Sequence, residues 1–288
     1  DNKGVDANLE YQTRIGNKVG LRLFGNLTYS KNKIVFRDEP AMQYAYQKSE
    51  GTRYGEFYGY IAEGYFQSEE EIKKSPRQMR ELAPGDIKYK DLNDDGVIDA
   101  NDQCYLGKSW FPSWSYGMGF NINYHNFDLA LFFQGVSDVS IMANGGSIDT
   151  GNGDWGASGV GIVPFTGMGL NPSNVITKAL DRWTADNPRA DAWYPRMTAN
   201  ATTNDNNYVN STHWLKDGSY LRLKQASLGY TLENKKLMDK GIEYLYFYLS
   251  GQNLLTFSKF KLWDPELGSN GAKYPLSRMV TLGMRVSF

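Results

Sequence analysis

Asp91, Leu92, Asn93, Asp94, Asp95, Gly96, Val97, Ile98, Asp99, Ala100, Asn101 and Asp102 put side-chain oxygens at loop positions one, three, five, nine and twelve, with a glycine at six. Oxygen donors at this spacing wrap a hard divalent cation; the glycine allows the sharp turn and the seventh residue offers its backbone carbonyl. The ligand set read from the spacing is Asp91, Asn93, Asp95, Val97, Asp99 and Asp102, and the implied cation is Ca2+ in a structural role. Five aspartates within these twelve residues repel one another without a cation, which favours occupancy. The competing reading is a solvated turn rich in Asp, Asn and Gly.

Position twelve holds Asp102, a shorter arm than the usual Glu, and no amphipathic helix precedes the loop. It therefore resembles the isolated loop of dockerins more than a paired EF-hand. Other chemistry is thin. Glu63, Asp264 and Glu266 are carboxylates of the kind that hydrolyse glycosides, but nothing in the sequence brings two of them to the required separation. The glycine pairs of residues 144–153 lack the strand and helix that a phosphate cradle needs, and no nucleophile elbow is present. A lone Cys104 forms no internal disulfide, and with His125 and His213 as the histidines a zinc site is not expected. The chain does not read as an enzyme.

The elements that must carry the acidic loop are strands. Val280, Leu282, Met284, Val286 and Phe288 alternate with Thr281, Gly283, Arg285 and Ser287, so one face is apolar and the other polar or small. Six further segments behave alike. Val5, Ala7, Leu9 and Tyr11 alternate with polar residues. Val19 to Tyr29 does so with a break at Phe24. Tyr116 to Tyr124 and Phe127 to Phe133 flank a tight turn at His125 and Asn126. Leu245 to Phe257 forms another row. From Tyr220 to Leu232 the phase changes between Leu223 and Leu228, which predicts a bulge near Lys224 and Gln225.

Each segment has roughly the length that crosses a bilayer at a tilt. The connections run short, long, short, long, with excursions over 31–114 and 137–219, as in outer-membrane barrels. The predicted fold class is all-β: an antiparallel transmembrane β-barrel segment with long extracellular loops. Seven strands do not close an even-numbered barrel, and an open edge leaves backbone groups unpaired in lipid, so the chain reads as a fragment. The soluble alternative is an extracellular β-sandwich.

Composition agrees. The 288 residues include 20 Tyr and 30 Gly, typical of turn-rich β proteins. The mean hydropathy of -0.54 averages outward apolar residues with polar neighbours. No run of about 18 apolar residues supports a membrane helix, and residues 1–8 lack the features of a signal peptide. With net charge -1 and no basic stripe, a nucleic-acid partner is excluded. Ser68 with Glu71 makes a capping box, and Asn171 with Pro172 starts a predicted helix bearing Val175, Ile176, Ala179, Leu180 and Trp183 on one face. Trp110, Trp114 and Trp214 are expected in the headgroup belt; Trp155, Trp183, Trp193 and Trp263 are expected to pack within the loops.

Several stretches together resemble the C-terminal barrel region of SusC-like (RagA-like) TonB-dependent transporters of Bacteroidetes. They are Gly59 to Tyr65; PGDIKYKDLNDDGVID from Pro84; FDLALFFQGV from Phe127; LKDGSYLRLKQASLGY from Leu215; LSGQNLLTFSKFKLW from Leu249; and the terminal strand. The resemblance implies a 22-stranded barrel of which these are the last seven strands, in the outer membrane with a periplasmic C-terminus. It also implies a plug and TonB-contacting part outside this chain, and a SusD-like surface lipoprotein acting as a lid. Phe288 looks like the aromatic end read by the barrel-assembly machinery. The expected role is import of glycans or oligopeptides. The alternatives are a siderophore-type receptor of the same superfamily, a secreted calcium-dependent adhesion or binding module, and a secreted hydrolase.

Overall fold

The computed structural model describes residues 1–16, 18–144, 148–149, 155–156, 176–198, 206–271 and 273–288. Seven long strands form one antiparallel sheet in chain order: β1 (Asn2–Ile15), β2 (Val19–Asn32), β3 (Trp114–Tyr124), β4 (Phe127–Ser137), β5 (Tyr220–Leu232), β6 (Tyr244–Ser258) and β7 (Met279–Ser287). Sequential neighbours pair throughout, so each strand meets the next through local hairpin geometry or across a long excursion.

Register turns the separate alternations into one surface. Leu9 opposes Gly25, Gly25 opposes Met118, Met118 opposes Phe133, Phe133 opposes Leu223 and Leu223 opposes Leu255. Two same-face steps along β4, Leu129, Leu228, Leu249 and Leu282 share a row. The pairing slips between Leu223 and Gln225, where the phase change predicted a bulge, and this keeps Leu221 and Leu228 on the same face. His125, with φ +52°, makes the turn between β3 and β4.

The apolar face is open: Leu9 is 76 % exposed and Leu282 81 %. These rows do not meet another sheet, so the sandwich alternative fails on its central requirement. Among the described residues, Tyr220 is the sole buried apolar residue on a wall strand. The core lies instead in the excursions, where Tyr60, Tyr65, Ile87, Tyr89, Ile98, Met142, Trp183, Tyr194 and Trp214 pack together. The sheet is a wall, and the described residues of the two excursions, within 33–113 and 138–219, fold into a cap.

Short pairings shape the cap: Glu56–Gly59 with Cys104–Ser109, Ala62–Tyr65 with Ile87–Tyr89, and Ser140–Met142 with Leu215–Asp217. Helix α1 (Glu69–Lys74) starts at Ser68, whose side chain accepts from Glu71 N. The reciprocal bond of the predicted capping box shifts by one residue, since the Glu71 carboxylate accepts from Gln67 N at 2.8 Å. A second short helix, α2 (Lys235–Met238), sits in the link between β5 and β6. The predicted helix from Asn171 and Pro172 through Val175 begins outside the described residues. Its described end is a 3-10 turn, Thr177–Leu180. Ala179 and Trp183 are buried there, but Leu180 is 76 % exposed and does not share their face.

Candidate functional site

The acidic loop runs between the Ile87–Tyr89 strand and the Cys104–Ser109 strand. Asp91 Oδ2 accepts from Gly96 N at 2.8 Å, Asn93 Oδ1 from Asp95 N at 3.2 Å, and Asp95 Oδ1 from Val97 N at 2.9 Å. Asp94 and Gly96 take φ of +58° and +79°, the left-handed steps that curl the chain around these carboxylates. Asp99 Oδ1 accepts from Asn101 N at 2.7 Å. Asp102 is fully buried and clamps the loop shut, accepting from Leu92 N and Asp99 N, each at 2.8 Å.

The loop is braced by the 3-10 turn Ala45–Gln47 and its flank. Asn93 Nδ2 donates to the Tyr44 hydroxyl at 3.1 Å, and the Tyr46 hydroxyl donates to Asn101 O at 2.7 Å. Desolvation, then the charge of Asp102, push the Tyr46 phenol up to about 12, so it stays a donor. The fit to a divalent cation rests on one atom in particular: Asp91 Oδ1 is buried and accepts no hydrogen bond. An unsatisfied buried carboxylate oxygen calls for a positive partner. Among the described residues, however, no three Asp, Glu, His or Cys side chains converge into a ready-made cage. Asp91, Asn93, Asp95, Val97, Asp99 and Asp102 do lie on one curled segment, with Asp102 already holding two backbone amides.

The face opposite the apolar rows carries the other polar groups. Glu10 and Arg22 form a two-point contact at 2.8 and 3.0 Å. Asp128 on β4 accepts from the Tyr246 hydroxyl on β6 at 3.0 Å, and Arg285 lies 6.0 Å from the Tyr246 ring centre. With Asn121 and Asn123 these line a hollow of about 500 Å³. Nearer the cap, Arg222 is almost fully buried on this face and bonds Asp264 at 2.6 Å, while Tyr220 donates to Glu266 at 2.6 Å. Two of the three carboxylates considered for hydrolysis thus serve a buried arginine and a tyrosine. The third, Glu63, lies 3.8 Å from Lys88.

The residues that organise the cap were missed by sequence reasoning. Asn206 and Asn207 are fully buried, and Asn207 Oδ1 accepts from Ile87 N at 2.9 Å while its amide donates to Asp86 at 2.8 Å. Arg196 adds a contact to Asp86 at 2.7 Å. Consecutive asparagines read locally as a turn, and no local signal marks them as buried. Trp214 is a correction: expected in the headgroup belt, it has no exposed surface, and its indole donates to Asn207 O at 2.7 Å. The strand Leu215–Asp217 that follows it pairs inward with Ser140–Met142, which draws the ring into the cap core. Trp110 and Trp114 are 56 % and 37 % exposed, and Trp183, Trp193 and Trp263 pack against the buried cap cluster. The side chain of Trp155 lies outside the described residues. Phe288 is 91 % exposed.

A one-layer antiparallel wall, apolar outside and polar within, topped by a folded cap, defines the class: a segment of an outer-membrane-type β-barrel. The relatives make this specific. The chain is 26% identical to the TonB-dependent receptor P3 of Formosa agariphila over all of its own length and 29% of that protein. It is 30% identical to the TonB-dependent receptor P26 of the same organism, over 78% of the chain and 22% of the relative. Its fold matches the RagAB peptide importer in the open-open state with a TM-score of 0.69 and 22% identity, covering 100% of this chain and 28% of that one. The closed-closed state matches at 0.66. No family model matches the chain. The chain is thus similar along its length to TonB-dependent receptors, and it spans less than a third of the curated relatives' length.

Proposed function

We propose that this chain is wall and outer cap of a TonB-dependent importer in the outer membrane, with the cap on the outside and the C-terminus in the periplasm. The observation that carries the reading is the two-sided sheet, whose apolar rows stay open while Asp128, Tyr246, Arg285 and Arg222 gather on the other face. Such a wall needs lipid on one side and an aqueous lumen on the other. Further strands completing a 22-stranded barrel, a plug, the TonB complex and a SusD-like lid are the partners this role requires. Phe288 would serve as the assembly signal. Between glycans and oligopeptides, the peptide importer among the solved neighbours favours oligopeptides. Ca2+ held by Asp91, Asn93, Asp95, Val97, Asp99 and Asp102 would stiffen the cap beneath the lid. The decisive experiment is uptake of a labelled oligopeptide by cells carrying the intact receptor. Uptake should stop with a protonophore or on loss of TonB, and a SusD-like protein should copurify; uptake indifferent to both treatments rejects the importer role.

A further inference from the structure

Four lysines and one tryptophan line a single cavity where the cap joins β5 and β6. Lys178 belongs to the 3-10 turn Thr177–Leu180, Lys216 is central in the Leu215–Asp217 strand, and Lys259 and Lys261 follow β6. With Trp193 they line an open cavity of about 740 Å³, well within the size that holds a small ligand or a peptide end. The Lys216 and Lys178 ammoniums stand 5.4 and 6.0 Å from the Trp193 ring centre.

The charges are unbalanced. Four lysines face two carboxylates: Lys178 is tied to Asp181 at 2.8 Å, and Asp217, which accepts from Ser219 N at 2.9 Å, also feels the charge of Lys259. Lys216 donates to the backbone oxygen of His213 at 2.6 Å, and among the described residues no carboxylate lies within ion-pair distance of Lys216, Lys259 or Lys261. Burial and the neighbouring Lys178 both push the Lys216 pKa down, so an anion brought between them would relieve the strain on its charged form. Beside the ammoniums the walls are apolar, with Leu180, Phe260 and Leu262.

We infer that this cavity is a subsite for the C-terminal carboxylate of an oligopeptide whose last side chain is apolar. The ammoniums would take the carboxylate, and Leu180, Phe260 and Leu262 the side chain. An acidic oligosaccharide fits less well, because sugars stack on a bare aromatic face and two lysines already cover that of Trp193. The inference rests on the oligopeptide reading of the substrate.

The test uses the intact receptor in detergent and isothermal titration with two pentapeptides, Gly-Ser-Gly-Leu-Leu as the free acid and as the C-terminal amide. The acid should bind about tenfold tighter than the amide. Lys216→Met should erase that difference, and so should the double change Lys259→Gln with Lys261→Gln, whose exposed side chains can be altered without repacking the cap. Equal binding of acid and amide, no binding of either, or a preference that survives both variants overturns the subsite. So does a uronate oligosaccharide whose binding, in place of the peptide's, depends on Lys216. These outcomes are separable from the importer reading, which stands or falls on energy-dependent uptake.

Discussion

The Tyr246 hydroxyl on β6 donates to Asp128 on β4 at 3.0 Å, passing over the strand between them at Gly229. A Cβ at residue 229 would stand 2.2 Å from the Tyr246 oxygen and 2.3 Å from Asp128 Oδ1. The missing side chain is what lets the two groups meet.

Gly229→Val should therefore break the bond and push the Tyr246 ring away, costing about 0.5–1.5 kcal/mol for the lost hydrogen bond. Chemical denaturation of the refolded barrel measures it. Tyr246→Phe in the Gly229→Val background should add nothing further, and an additive loss would show that the glycine serves another purpose.

The two faces of β6 should respond oppositely to charge. Leu249→Arg on the open apolar face should cost about 2–4 kcal/mol near the bilayer midplane, whereas Ser250→Arg on the polar face should be tolerated. Folding into lipid vesicles, followed by heat-dependent gel migration, compares them. Equal sensitivity at both positions would contradict the assignment of lipid and lumen.

The cap should come apart at its seam. Asn206→Ala removes the bond from Gln78 at 2.8 Å and the one to Ile87 O at 3.0 Å, leaving buried partners unsatisfied at about 1–3 kcal/mol. Limited proteolysis should then cut the excursions faster while the wall keeps its heat-resistant migration. Unchanged cleavage would show that the two excursions do not depend on this joint.

Bound calcium should follow the acidic loop. Asp91→Ala combined with Asp95→Ala should abolish it in elemental analysis of the purified receptor, and chelation should speed proteolysis near residues 91–102. Calcium content unchanged by the double variant would reject the assigned ligands.

Acid should weaken the cap through His213. Burial, and then the charge of Lys216, lower its pKa from 6.5 to about 4, with Trp193 O at 3.1 Å and the Tyr65 hydroxyl at 3.4 Å as neighbours. The fold holds the neutral ring and the unfolded chain takes up the proton first, so stability is lost as pH falls from about 6.5 to 4, by about 3 kcal/mol at most. His213→Gln should flatten that part of the pH profile of cap proteolysis.

Alternation was enough to find the wall. A strand's faces are set by a period of two residues, so Val280, Leu282 and Met284 declare their side without reference to any partner, and the phase change near Lys224 announced its bulge. The curl of the acidic loop is local too, since Asp91, Asn93 and Asp95 accept from amides two to five residues further along the same short segment. The cap followed no such period. Trp214 is buried and Asn206 bonds Gln78 because residues more than a hundred positions apart pack together. The lysine cavity likewise unites residues 178, 193, 216 and 259, which share no local pattern. Irregular backbone takes its partners from long-range packing, and only the folded chain brings those distant groups to one place.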